Sequence, residues 1–239
     1  METTVDTLRP GAAMAAPRGA SPAPVAFAAL ATLGLLLAAL VVAGVGSGAL
    51  PGIADRYVPA NVANNIPVLT ADATLQLLMG SALVVLALGL GRYLGADGLL
   101  GRLAVVGGVI GGAAFIAAGG ILQETVFYSV FVDSSQARQL AQASGTTDLT
   151  AMNLAISVVA GGMRSAGSYA FGLAWIGWAV MGLRSRTLPA LLCVVGIAAG
   201  AGFALTNWIG PVAGPFAFLG SLIWLGGLAA VLFRRSRLN

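Results

Sequence analysis

The sequence predicts an all-α polytopic membrane protein, a bundle of six transmembrane helices with the N- and C-termini inside. Three observations predict it. Of 239 residues, 58% are apolar and 8% are charged, with a mean hydropathy of +0.93; an ordinary soluble domain has about 25% charged residues. Six apolar runs follow one another, each near the ~20 residues that cross about 30 Å of hydrocarbon at 1.5 Å per residue. Arginines fall between alternate runs, the pattern of the positive-inside rule.

Residues 1–23 are rich in Ala, Pro and Ser and lack apolar periodicity, so they read as a flexible cytoplasmic tail. The transmembrane domain then runs over 24–234, with spans near 25–45, 73–91, 103–123, 151–183, 188–207 and 212–233, and a short tail over 235–239. The first run ends in small residues (Gly46-Ser47-Gly48-Ala49), but it is longer than a signal-peptide core and reads as a retained span. Residues 46–72 carry Pro51, Pro59 and Pro67 and read as an irregular outer cap. Within 125–150, Ser134 to Gln142 combine a Ser cap with good helix formers and predict a short surface helix. Leu183–Thr187 reads as a tight turn, with Pro189 in the first turn of the fifth helix.

Arginine placement sets the expected orientation. With the N-terminus inside, the cytoplasmic segments hold nine of the twelve: Arg9 and Arg18, Arg92 and Arg102, Arg184 and Arg186, then Arg234, Arg235 and Arg237. The outer loops hold Arg56 and Arg138. Arginines scattered singly between apolar spans do not form a nucleic-acid surface, so the net charge of +4 points to no nucleic-acid partner.

The inventory excludes much chemistry. There is no His and no Lys, and Cys193 is the single cysteine. The commonest metal ligand, the usual general base and the Schiff-base amine are therefore missing. No metal, cofactor or catalytic residue is expected. Trp175, Trp178 and Phe171 share a helical face, which packing or lipid contact explains.

Glycine occurs 34 times. Gly107 with Gly111, Gly108 with Gly112, and Gly196 with Gly200 stand four apart, the spacing that lets helices approach closely in lipid. These faces read as internal packing or as an interface with a second copy or a partner membrane protein. Leu103 to Gly107, with Gly111, echoes Leu192 to Gly196, with Gly200, which would relate two hairpins of the same orientation.

Ionisable residues at membrane depth are the default functional candidates. Counting about twenty residues at 1.5 Å each from the inner arginines brings Asp72, Gln123, Glu124, Arg164 and Asn207 to one outer level, with Gln76 one turn below Asp72. This predicts a polar rim, with Arg164 paired to Glu124 or to Asp72, because an unpaired charge at that depth is costly.

The stretch Gly172-Leu173-Ala174-Trp175-Ile176-Gly177, then Leu183-Arg184-Ser185-Arg186-Thr187-Leu188-Pro189, then Val194 to Gly200, resembles the bacterial membrane family known as domain of unknown function 4386. The resemblance covers roughly residues 24–233 and implies six helices in a bacterial plasma membrane. It implies no catalytic residues.

Two functional readings follow. One is a helical-bundle interaction or structural subunit, motivated by the Gly-rich faces and the missing chemistry. The other is an outer-face small-molecule or lipid-binding protein or transporter using the rim around Glu124 and Arg164. A membrane enzyme ranks below both.

Overall fold

A computed structural model of the chain describes residues 21–49, 66–130, 139, 149–209 and 213–238. The described residues form six helices and no strand: α1 Pro22–Ala49, α2 Ile66–Leu94, α3 Leu99–Val130, α4 Leu149–Arg184, α5 Ala190–Ile209 and α6 Ala213–Ser236. A helix covers all or most of each apolar run. Several outgrow the expected bounds, because a helix does not stop where hydrocarbon ends. The second helix begins at Ile66, inside the segment read as an irregular cap, with Pro67 in its first turn. The third continues to Val130. The tail to residue 20, most of the cap and, apart from Gln139, the predicted helix over Ser134 to Gln142 lie outside the described residues.

Five helices are long and apolar enough to cross a membrane. The described part of the remaining one, Ala190–Thr206, is apolar but shorter. The molecule is therefore a multi-pass helical bundle compatible with a bilayer. Its outward side chains agree: Phe27, Val41, Val85, Ile110, Val158 and Ile223 are all exposed. An apolar exterior of this extent suits lipid rather than water.

Each helix packs against its neighbours in sequence, and α1 returns to α6, so the six close a ring. Within the ring, α2 also touches α4. Neighbours are antiparallel. The arginine-bearing ends of α2 and α6 meet at one end of the ring, where Arg235 Nη1 donates to Tyr93 Oη at 2.8 Å. Phe27, near the start of α1, stacks edge-on against Phe233 at that same end, centroids 5.1 Å apart.

Glycine sets how closely the ring draws together. A Cβ on Gly112 would lie 2.6 Å from Gly80 O on α2, and one on Gly111 would lie 3.0 Å from Gly167 O on α4. A Cβ on Gly200 of α5 would lie 2.6 Å from Gly172 O on α4. Three of the crossings are thus backbone on backbone, which only glycine permits. Of the two readings of these faces, the contacts support internal packing. Gly107 and Gly111 turn to α4, while Gly112 turns to α2 and Gly108 to Ala87 and Trp178. The chain's own helices pack against all four. The echo between Gly111 and Gly200 also diverges: Gly111 meets the helix that follows its own, Gly200 the helix that precedes it.

Hydroxyls behave as apolar surroundings require. Ser81, Thr206 and Thr32 each donate to the carbonyl four residues back in their own helix. At the arginine end the chain turns tightly twice. Gly95 (φ 66°) ends α2, and Ala96 N–H reaches back to Gly91 O at 2.9 Å. Arg186 (φ 53°) ends α4 in the same way, with Thr187 N–H on Gly182 O at 3.1 Å. Both are left-handed caps that satisfy terminal carbonyls.

Candidate functional site

The interior differs between the two ends of the ring. Towards the arginine end it is solid. Leu86, Leu90, Leu225, Leu228 and Leu232 are completely buried, with Trp178 and Trp224. Trp175 tilts against Trp224 with centroids 4.9 Å apart, and Phe171 and Phe203 stand 5.0 and 5.4 Å from Trp175.

Towards the other end lies a cavity of about 250 Å³, to which all six helices contribute. Its base is Trp175, Phe171 and Leu225, and Phe115 and Phe203 add aromatic wall. On α1 it is bounded by Thr32, Leu36 and Ala39. On α2 a stripe at helical spacing runs from Asp72 through Gln76 and Met79 to Leu83. Ser168 completes the α4 side, where Ser168, Phe171 and Trp175 form another such stripe.

Polar atoms reach this apolar chamber from Asp72, Gln76, Thr32, Ser168 and Trp175. Gln76 Nε2 donates to Asp72 Oδ2 at 3.1 Å. Gln76 is only 7% exposed, and its Oε1 has no hydrogen-bond partner. Thr32 lines the wall, but its hydroxyl is engaged by Ala28 O. The cavity wall therefore carries two acceptors, the buried amide oxygen of Gln76 and the carboxylate of Asp72, and one residue with an unpartnered donor, the indole N–H of Trp175.

The polar rim read from the sequence divides here. Asp72 and Gln76 come together on the cavity. Gln123 and Glu124 are exposed on α3 and do not line it. Asn207 falls in α5, but its side chain lies outside the described residues. Arg164 is half-buried on α4 and forms no ion pair with Glu124 or Asp72 among the described residues. Nor do the two expected partners share a level. Gly167 packs beside Gly111, Ala114 and Phe115. Arg164, three residues outward, is therefore level with about residues 114–118 of α3, roughly 9–15 Å short of Glu124 at 1.5 Å per residue. The common height was inferred by treating every span as about twenty residues between two fixed planes. α4 is 36 residues long and α3 is 32, so that ruler fails for this pair.

Sequence reasoning missed Phe115, Phe203, Thr32 and Met79 as site residues. It assigned Phe171 and Trp175 to packing, and both are indeed buried. The usable signal was the Ser168–Phe171–Trp175 stripe on α4 facing a second stripe that begins at Asp72. No three His, Cys, Asp or Glu cluster among the described residues. No protein-family profile, curated protein or solved structure matches the chain.

Proposed function

We propose that this chain is a six-span membrane protein, with both ends in the cytoplasm, that holds a small molecule of largely apolar body in the outer half of its bundle. The observation that carries this reading is the cavity of about 250 Å³ walled by all six helices, with Asp72 and Gln76 at its polar end. Ligand sites in helical bundles are mostly apolar with a few placed polar groups, and this chamber has that character. The arginine asymmetry supports the orientation, which puts Asp72 and the cavity on the outer side. The resemblance around the Arg184-Ser185-Arg186 turn supports membership of the bacterial family named above and a plasma-membrane location. The interaction-subunit reading loses its main support, because the glycine faces close on the chain itself.

Purification from native membranes, followed by mass spectrometry of co-purified small molecules, tests the proposal. Ala39→Trp should fill the chamber from α1, and Ser168→Phe from α4. A bound species present in the parent protein and depleted in both folded variants is the expected result. Identical small-molecule content in all three proteins would refute it.

A further inference from the structure

We infer that the occupant of the central cavity is a small organic ammonium: an apolar or aromatic body carrying one cationic N–H group. The inference rests on the proposed ligand-holding role and names the class of ligand. Its first support is the orphaned Gln76 Oε1, in a side chain 7% exposed that lines the cavity. A buried acceptor without a partner is costly, and a ligand N–H would satisfy it. Turning the amide over does not meet the need, because it would set Oε1 against the Asp72 carboxylate oxygen that Nε2 now reaches.

Charge and aromaticity agree independently. Among the described residues Asp72 is the one ionisable group lining the cavity, and they give the wall a negative charge. Phe115, Phe171, Trp175 and Phe203 supply ring faces to the same space. Ring faces attract cations, more so when water is excluded. A carboxylate, a bare amide oxygen and four aromatic rings around one apolar chamber select a cation with a greasy body over an anion or an alkane. The orphaned indole N–H groups do not alter this. Trp175 lines the cavity and carries one, but Trp178 and Trp224 carry them without lining it, so an unpartnered indole is a recurring property of this core and not by itself a mark of the ligand. Arg164 is the nearest opposing charge on α4, one helical turn from Ser168, but it is not part of the wall.

Two probes of nearly equal shape separate the charge from the space. Dimethylbenzylammonium and isobutylbenzene differ by N–H⁺ in place of C–H. Binding to the full chain in nanodiscs would be followed by tryptophan fluorescence, with the Ala39→Trp protein titrated in parallel to subtract partition into lipid. The ammonium should bind at least about tenfold tighter than the hydrocarbon, a factor typical of a desolvated cation–π and charge-assisted contact. Asp72→Asn keeps an acceptor for Gln76 N–H and should bring the two probes within about threefold. Gln76→Leu, with no polar atom to orphan, should weaken the ammonium alone. Equal binding of both probes would overturn the inference while leaving a ligand-holding cavity intact. Binding of neither would overturn both. Tighter binding of phenylacetate would overturn the inference and assign recognition to Arg164.

Discussion

Two alanine substitutions on the same helix should have opposite signs. Gly112 and Gly120 both lie in α3, eight residues apart. A Cβ at Gly112 would stand 2.6 Å from Gly80 O and 2.6 Å from Val84 Cγ2, with Val84 N at 3.1 Å. Two of those three atoms are backbone, so relief requires α2 and α3 to part. A Cβ at Gly120 meets nothing within 4 Å. Alanine removes glycine's excess backbone entropy, which favours the helix by about 0.5–1 kcal/mol at either site. Overpacking at Gly112 opposes this by about 1–3 kcal/mol. Gly112→Ala should therefore destabilise, by about 1.3 kcal/mol at the middle of these ranges and at most about 2.5, and Gly120→Ala should stabilise by about 0.5–1 kcal/mol. The gap between them isolates the contact, because the propensity gain cancels. Thermal unfolding in one detergent, followed by circular dichroism, reads the sign directly. Equal shifts for the two variants would refute the backbone-on-backbone crossing of α2 and α3.

Other consequences follow from single contacts. Arg186 holds φ 53°, a conformation that a side chain disfavours; Arg186→Gly should gain about 1 kcal/mol in the same unfolding assay. Tyr93→Phe keeps the buried ring but removes the acceptor of Arg235, and should cost about 1 kcal/mol by the same measure. Cys193 is completely buried. It should resist a membrane-permeant maleimide in the folded protein and react on denaturation in dodecyl sulfate, as read by mass shift.

What was legible in the sequence was one-dimensional. The apolar runs located six helices because hydrocarbon length and helical rise are fixed quantities. The turn at Leu183–Thr187 was legible from its length, although the left-handed residue is Arg186, with no glycine at that position to mark it. The glycine pairs announced close packing, but spacing alone could not say whether the facing helix belonged to this chain. Height across the bilayer was the least legible quantity. Arg164 and Glu124 were set level by counting from Arg184 and Arg102, and the count ignores how long helices slide past one another. Gly167 beside Gly111 and Phe115 fixes the true offset, and no property of either residue encodes it. Asp72 was placed by the same count, from Arg92; Gln76 stands four residues along the same helix, so the two share a face at whatever height that helix sits.

The cavity itself follows from the ring. Helix axes pack about 8–10 Å apart, and in a regular ring of six the centre is equally far from every axis, room enough for a seventh helix. Only side chains can fill it. Towards the arginine end three tryptophans and a tier of leucines do so, and all of them are completely or almost completely buried. Towards the other end the inward positions include Ala39, Ser168 and Gln76, and the glycines that draw neighbouring helices together bring no bulk of their own. Short side chains such as Ala39 and Ser168 thus leave the centre at that end unfilled. Because Trp175, Phe171 and Leu225 close the base, with Trp224 packed against Trp175, the chamber is no continuous pore among the described residues. A molecule could pass through only if the aromatic tier moved, so holding a ligand is the activity this arrangement supports without rearrangement.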